Sequence, residues 1–285
     1  MAQVKLKQVN ISTHMTYNET SGEHMKRAIV TGAGRGIGLA IAQRLAAEGW
    51  VVGVLDTNEA EVKKAVASIA HSIALVADIS QPDSVAAALE TFGEAPHCLV
   101  NNAGIVRFGP LLTLSHSDFS AVVNVNLVGT FNMARAVAQK MIDAHVQGTI
   151  INVTSMNGVA PGPNAGAYGA TKSAIALMTQ QMAIEWGPLG IRVNAIAPGL
   201  ILAGMSDPIY ADPVVREARE SRVPLGRLGT AEDIANTVVF LSSDQSSYMT
   251  GQNLLIDGGV TMSVISSLPR PASVDSVGIK DSQKK

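Results

Sequence analysis

Short, almost continuously apolar runs recur near residues 27–31, 51–55, 73–77, 98–101, 149–154, 191–196 and 253–256. They are rich in Val, Ile, Leu and Ala and predict seven strands. Between them the apolar positions recur at helical spacing, as from Leu39 to Glu48, and predict helices. Strands apolar on both faces and separated by helices imply a parallel sheet covered on both sides. This is an α/β, doubly wound architecture with ligand groups at the carboxyl ends of the strands. The pattern breaks from Leu200 to Arg227, where Pro208, Pro213 and Pro224 interrupt it. A small helical lid over about 200–227, inserted before the last helix, is expected there, and substrate choice should reside in it.

Composition narrows the partners. A chain of 285 residues, 47% hydrophobic, can bury one substantial core without splitting, so one domain over 25–260 is expected. Residues 1–24 are polar, lack the apolar core of a secretory signal, and read as an extension ahead of Met25. The tail 261–285 is rich in Ser, Pro and charge, with partial disorder expected. A net charge of −2 supplies no basic field for nucleic acid or an anionic membrane, and no uncharged apolar run reaches transmembrane length. Cys98, the single cysteine, sits in an apolar run and reads as a buried, inert thiol, which suits a reducing cytoplasm.

Candidate chemistry lies at two places. Tyr168 and Lys172, one helical turn apart, share a face, so an ammonium can lie beside a phenol and draw down its pKa from about 10. Ser155, thirteen residues earlier, adds a hydroxyl, and the set reads as an acid/base pair facing a carbonyl, which points to hydride transfer. The bland alternative is a surface Tyr and an exposed Lys. At the other end of the fold, 28–38 reads strand, Gly-rich turn, helix: Ala28-Ile29-Val30-Thr31-Gly32-Ala33-Gly34-Arg35-Gly36-Ile37-Gly38. Such a turn brings backbone N–H groups against a pyrophosphate at a helix N-terminus. The spacing departs from G-x-G-x-x-G, because Ile37 and Leu39 stand where a third Gly would be needed, and fits T-G-x-x-x-G-x-G.

From about Lys26 to Gly259 the order of these motifs resembles the classical short-chain dehydrogenase/reductase family, with its single-domain Rossmann-type fold. Thr31 to Gly38 matches its cofactor turn, Asn101-Asn102-Ala103-Gly104 its N-N-A-G segment, and Asn126 its active-site Asn. Ser155, Tyr168 and Lys172 match its substrate-orienting Ser and catalytic pair, Pro198-Gly199 its nicotinamide-side turn, and Thr250-Gly251-Gln252 with Asp257-Gly258-Gly259 its closing strand region. The resemblance implies a catalytic set of Asn126, Ser155, Tyr168 and Lys172, with Lys172 lowering the Tyr168 pKa and Asn126 anchoring a water. It implies cofactor contacts from Gly32, Arg35, Gly36, Ile37, Gly38, Asp56, Asp78, Ile79, Asn102, Ala103, Gly104, Tyr168, Lys172, Pro198, Gly199 and Ile201, and substrate contacts from Ser155, Asn157 and Tyr168. No metal is implied. A homotetramer is, through the helices after the fourth and fifth strands and the last strand. In the helix from Ala170 to Trp186, apolar residues at 174, 175, 177, 178, 182 and 184 exceed one narrow stripe, so a partner helix could cover the surplus. A helix fully buried within one subunit is the alternative.

Asp56, closing the second strand, favours NAD, because a carboxylate there accepts from the adenosine ribose and repels a 2′-phosphate. Arg35 pulls towards NADP, and Asp56 could instead cap a helix, a role open equally to Asn58. Ala203 stands where many family members carry a Thr that bonds the carboxamide, with Ser206 as a substitute hydroxyl. The expected substrate lining, Met156, Asn157, Gly158, Val159, Ala160, Pro163 and Asn164, is small, mixed and uncharged, though Arg216, Arg219 and Arg222 of the lid could reach in. A small secondary alcohol, sugar or polyol fits best. The rival is a 3-oxoacyl-carrier-protein reductase using NADPH. Similar reductases present basic groups before the fifth and sixth strands, and 142–148 and 186–190 hold no Lys or Arg. A non-catalytic nucleotide sensor would have no need of the Ser/Tyr/Lys set.

Overall fold

A computed structural model describes residues 25–263. The expected extension 1–24 and the tail beyond Ser263 lie outside the described residues. The seven expected strands form one parallel sheet: β1 (Arg27–Thr31), β2 (Val51–Asp56), β3 (Ser72–Val76), β4 (Cys98–Asn101), β5 (Gly148–Val153), β6 (Ile191–Pro198) and β9 (Asn253–Ile256). Their order is β3-β2-β1-β4-β5-β6-β9, which reverses direction beside β1. The crevice between the carboxyl ends of β1 and β4 is therefore the expected ligand position.

Side chains along each strand alternate between two cores. Ala28 and Val30 of β1 pack with Ile41, Ala42 and Leu45 of α1 (Gly36–Ala47) and with Ile234, Ala235 and Val238 of α9 (Ala231–Ser242). Ile29 points the other way, to Leu89 and Phe92 of α3 (Pro82–Phe92), Val137 and Met141 of α5 (Gly129–Asp143) and Met182 of α6 (Tyr168–Trp186). The short α2 (Glu59–Val66) completes the first layer, capped by Asn58. Cys98 is fully buried in β4, and burial pushes its thiol up to about 12, so it is inert at neutral pH.

Two local features position the site. The helix α4 (His116–Val123), capped by Ser115, runs into α5 through one π-turn, Asn124–Val128. Between β6 and α9, the chain forms a two-residue strand β7 (Ile201–Leu202), α7 (Asp207–Tyr210), α8 (Pro213–Glu220) and a returning strand β8 (Gly229–Thr230). Ile201 pairs with Gly229 and Leu202 with Thr230, which pins both ends of this segment beside the mouth of the sheet. On α6, Leu177 is 61% and Ile184 77% exposed, so the helix is not fully buried within the chain. Among the described residues no helix is long and apolar enough to cross a membrane.

Candidate active site

The loops leaving the carboxyl ends of β1 to β6 open onto one cleft of about 810 Å³. Every sequence-predicted site residue except Asn126 lines it.

At one end, the β1–α1 turn presents backbone. A Cβ on Gly38 would fall 2.5 Å from Asn102 Nδ2, so any side chain there would push apart the turn and the β4 loop. Asn102 Nδ2 donates to Thr31 O at 2.9 Å and Gly32 O at 3.1 Å. Thr31 Oγ1 accepts from the N–H groups of Asn102 and Ala103, both at 3.0 Å. Side chains cap α2, α4, α8 and α9, but none caps α1, whose first turn also lacks an acidic residue. Its free N–H groups and positive dipole end therefore suit a phosphate.

Asp56 Oδ2 accepts from Gly34 N at 3.2 Å, and Oδ1 from Asn58 N at 3.1 Å. Asn58 makes the helix cap, so the carboxylate stays at the turn. Arg35 is exposed at the same end and makes no ion pair among the described residues. Asp78 is occupied by its own loop, accepting from Ser80 N at 2.9 Å and Ser80 Oγ at 2.8 Å. The following Ile79 is held by Asn132, whose Nδ2 donates to its carbonyl at 3.0 Å. The residues at this end fit an adenine dinucleotide: a glycine cradle, an uncapped helix and a carboxylate at the close of β2.

At the other end, Ser155 leaves β5 and enters a 3-10 turn, Met156–Gly158, with its Oγ accepting from Asn157 N at 3.1 Å. That turn is pressed on α6. A Cβ on Gly158 would lie 2.9 Å from Lys172 C and Ser173 N, and one on Gly169 2.9 Å from Asn157 O. Two glycines thus allow the backbone contact that brings Ser155 into hydrogen bond with the Tyr168 phenol. Lys172 is 3% exposed, its Nζ donating to Val153 O at 2.7 Å and lying 5.5 Å from the Tyr168 ring centroid. Burial draws its pKa down to about 8. The Tyr168 phenol moves the other way: burial raises its pKa, and the Ser155 hydrogen bond lowers it only in part. Lys172 takes no part in that shift here, and its ammonium bonds the Val153 carbonyl.

Asn126 lies behind the wall, fully buried in the π-turn. Its Oδ1 accepts from Ile105 N at 2.8 Å, and Nδ2 donates to Ile105 O at 3.0 Å and Thr171 Oγ1 at 3.3 Å. Both amide hydrogens are committed, so the side chain ties the β4 loop to α6 beside Lys172.

On the substrate side, Met156, Asn157 and Pro163 line the cleft, whereas Gly158, Val159, Ala160 and Asn164 do not. Phe108 and Tyr210, which no motif marks, join the wall, with Ala203 and Ser206 at the start of the lid segment. Of the three lid arginines expected to be able to reach in, Arg219 and Arg222 line the cleft, while Arg216 pairs with Glu220 at 3.1 Å instead. The folded path of α8 and the turn after it separates these arginines, so sequence order gave no means of ranking them. Among the described residues, no group of three or more His, Cys, Asp or Glu side chains could hold a metal ion.

Comparison with known proteins agrees with this arrangement. Residues 32–261 match a family model described as enoyl-(acyl carrier protein) reductase. The chain is 36% identical over 255 residues to 3beta-hydroxysteroid dehydrogenase 1 of Eggerthella lenta, covering 86% of this chain and 96% of that protein. Two solved structures superpose closely. One is a 3-ketoacyl-(acyl-carrier-protein) reductase from Brucella melitensis complexed with NADH, with a TM-score of 0.77, 32% identity and coverage of 83% and 98%. The other is a gluconate 5-dehydrogenase from Burkholderia cenocepacia in complex with NADP and tartrate, with a TM-score of 0.78, 35% identity and coverage of 84% and 96%. With its sheet order, glycine turn and Ser/Tyr/Lys wall, the chain belongs to the classical short-chain dehydrogenase/reductase family of oxidoreductases acting on alcohol and ketone groups.

Proposed function

We propose that the protein is an NAD-dependent dehydrogenase of a small secondary alcohol of the sugar or polyol type, working in the cytoplasm as a homotetramer. The observation that carries this reading is the meeting of Ser155, Tyr168 and Lys172 with the Asp56-marked turn in one cleft. The Gly32–Gly38 turn, Asn102 to Gly104 and Pro198 to Ile201 would hold the nicotinamide nucleotide, which when bound supplies the ring that accepts the carbinol hydride. Tyr168, as phenolate, takes the hydroxyl proton of the alcohol. Ser155 donates a hydrogen bond to the oxygen as it becomes a carbonyl. Lys172 holds the nucleotide ribose and, when protonated, favours the phenolate form of its neighbour. Asn126 fixes the loop and helix that carry these groups. Asp56 supports NAD through its charge, and the sugar-acid relative from Burkholderia cenocepacia supports a polyhydroxylated substrate class.

A spectrophotometric screen of sugars, polyols, hydroxysteroids, simple secondary alcohols and a 3-oxoacyl thioester with either nucleotide tests the proposal. Tyr168→Phe, expected to lose on the order of 10²- to 10⁴-fold in rate, serves as the blank. Turnover that strongly prefers NADPH would sink the NAD assignment.

A carrier-protein reductase stays the second reading for one structural reason. The stretches 142–148 and 186–190 lie at the amino ends of β5 and β6, linked by Gly148 N to Gly190 O at 3.2 Å. That is the edge of the sheet opposite the cleft, so their lack of basic residues does not bear on delivery of a thioester to Tyr168. NADPH-linked reduction of the thioester alone would select this reading.

A further inference from the structure

We propose that Arg219 and Arg222 form an anion subsite, so that the alcohol taken by this cleft carries a carboxylate away from its reacting carbon. The inference deepens the dehydrogenase reading and rests on it.

Four arginines lie in the segment between β7 and α9, and they divide in two. Arg216 pairs with Glu220 at 3.1 Å, and Arg227 with Asp233 at 2.7 and 2.9 Å, and neither lines the large cleft. Arg219 and Arg222 do line it, and neither makes an ion pair or a side-chain hydrogen bond among the described residues. Arg219 is held over the Tyr210 ring, 5.7 Å from guanidinium carbon to centroid, and Tyr210 is itself 6% exposed and part of the wall. A guanidinium oriented on an aromatic face loses less freedom when it forms its paired hydrogen bonds to a carboxylate.

The cleft offers these charges no internal partner. Its acidic residues are Asp56 and Asp78, both at the nucleotide end and both accepting bonds from their own loops. Around Ser155 and Tyr168 the lining is Met156, Asn157, Pro163, Phe108 and lid residues, with no Asp or Glu. A ligand that reaches Arg219 and Arg222 and excludes water there must leave two cations unpaired or bring an anion to them. A neutral alcohol does the first, at the cost of desolvating unpaired charge; a hydroxy acid does the second with charge-assisted bonds. A site built this way discriminates between otherwise matched substrates.

The test compares pairs that differ only in the acid group, gluconate against sorbitol and tartrate against threitol, together with the 3-oxoacyl thioester. The wild type should favour the acids. Arg219→Met and Arg222→Met should each lower the acid-to-neutral ratio of kcat/KM by about 10- to 100-fold, the value of one hydrogen bond to a charged group. Arg219→Lys should recover part of the ratio, and Arg216→Met, outside the cleft, should leave it unchanged. An unchanged ratio in both methionine variants, a preference for the neutral partner, or turnover of the thioester alone overturns the inference and leaves a dehydrogenase in place. A fall in NADH affinity with no change in ratio assigns the arginines to the nucleotide and overturns it as well. Absence of any nicotinamide-linked turnover would instead count against the proposed function. Calorimetric titration of gluconate or tartrate into NADH-saturated protein then decides the subsite alone: binding lost in the double variant sustains it, and no binding to the wild type refutes it.

Discussion

At the scale of single residues, the site is a place where stability and chemistry pull apart. Lys172 is buried, and its pKa falls from the ordinary 10.5 to about 8. Between those values the unfolded chain binds a proton that the folded chain does not, so stability rises with pH from about 8 to about 10.5. Below about pH 8 the full difference acts against folding, and its size corresponds to about 3 kcal/mol. Lys172→Met removes the buried charge but leaves the Val153 carbonyl without its donor, a loss of about 1 kcal/mol or more. The cofactor-free variant should therefore be more stable than the wild type by about 1–2 kcal/mol near pH 7, with the advantage gone near pH 10. Denaturant unfolding at the two pH values checks this, and a variant less stable at both would show that the ammonium is well solvated. Asp56 governs a different quantity. Exchanging it for Asn removes one like charge from the 2′-phosphate site, worth between about 1 and 4 kcal/mol at contact distance, so Asp56→Asn should improve kcat/KM with NADP tenfold or more. No change would transfer the selectivity to Arg35. Both residues were legible in the sequence, Asp56 from the end of an apolar run and Lys172 from its spacing to Tyr168. The direction of the Tyr168 shift was not, because desolvation depends on what surrounds the helix and not on what lies along it.

At the scale of elements, the strands were readable to within a residue or two because continuous apolarity leaves a chain little choice but a covered parallel sheet. What sequence periodicity does not encode is how closely two elements approach. The Met156–Gly158 turn meets α6 through Gly158 and Gly169, each 2.9 Å from backbone atoms once a Cβ is added. Gly158→Ala must move that turn away from Lys172 and Ser173, carrying Ser155 with it. Displacing a reacting group by about 1 Å can cost about 100-fold, so turnover should fall by one to two orders of magnitude. NADH affinity should change little, because Gly32 and Gly38 lie on the β1–α1 turn and Asp56 at the end of β2, apart from the displaced turn. Fluorescence titration of NADH beside steady-state rates tests this split, and an equal loss of both would mean that the whole sheet end had shifted. The π-turn at Asn126 belongs to the same class of feature. Its extra residue turns a buried amide onto both Ile105 and Thr171, a register that helical periodicity alone would have smoothed over. The prolines marked where the periodicity breaks between β6 and α9, yet which arginines of that segment line the cleft depended on the folded path of α8 and the turn after it.

At the scale of the whole molecule, the described residues leave one apolar face uncovered. Leu177 and Ile184 of α6 stand 61% and 77% exposed, seven residues apart and so nearly in line along the helix, while Ile175 and Met182 are buried against the sheet. Phe119 and Phe131, on α4 and α5, are also exposed, at 44% each. A helix that spends apolar residues on two opposite sides matches a second packing surface better than a surface in water. The proposed tetramer uses this face, and the proposal has a consequence for the site, since α6 is also the element that carries Tyr168 and Lys172. Replacing both Leu177 and Ile184 by Glu should abolish the helix-to-helix contact, because it would bury four unpaired carboxylates per symmetric pair of helices. Light scattering after size exclusion should then report dimers or monomers where the wild type runs as a tetramer. Each chain should keep its fold, as neither side chain contributes to the core, while turnover should fall as α6 loses its outer support. A wild type that is monomeric at micromolar concentration, or a double variant that keeps the wild-type size, would remove α6 from the interface and leave its apolar outer face without a partner.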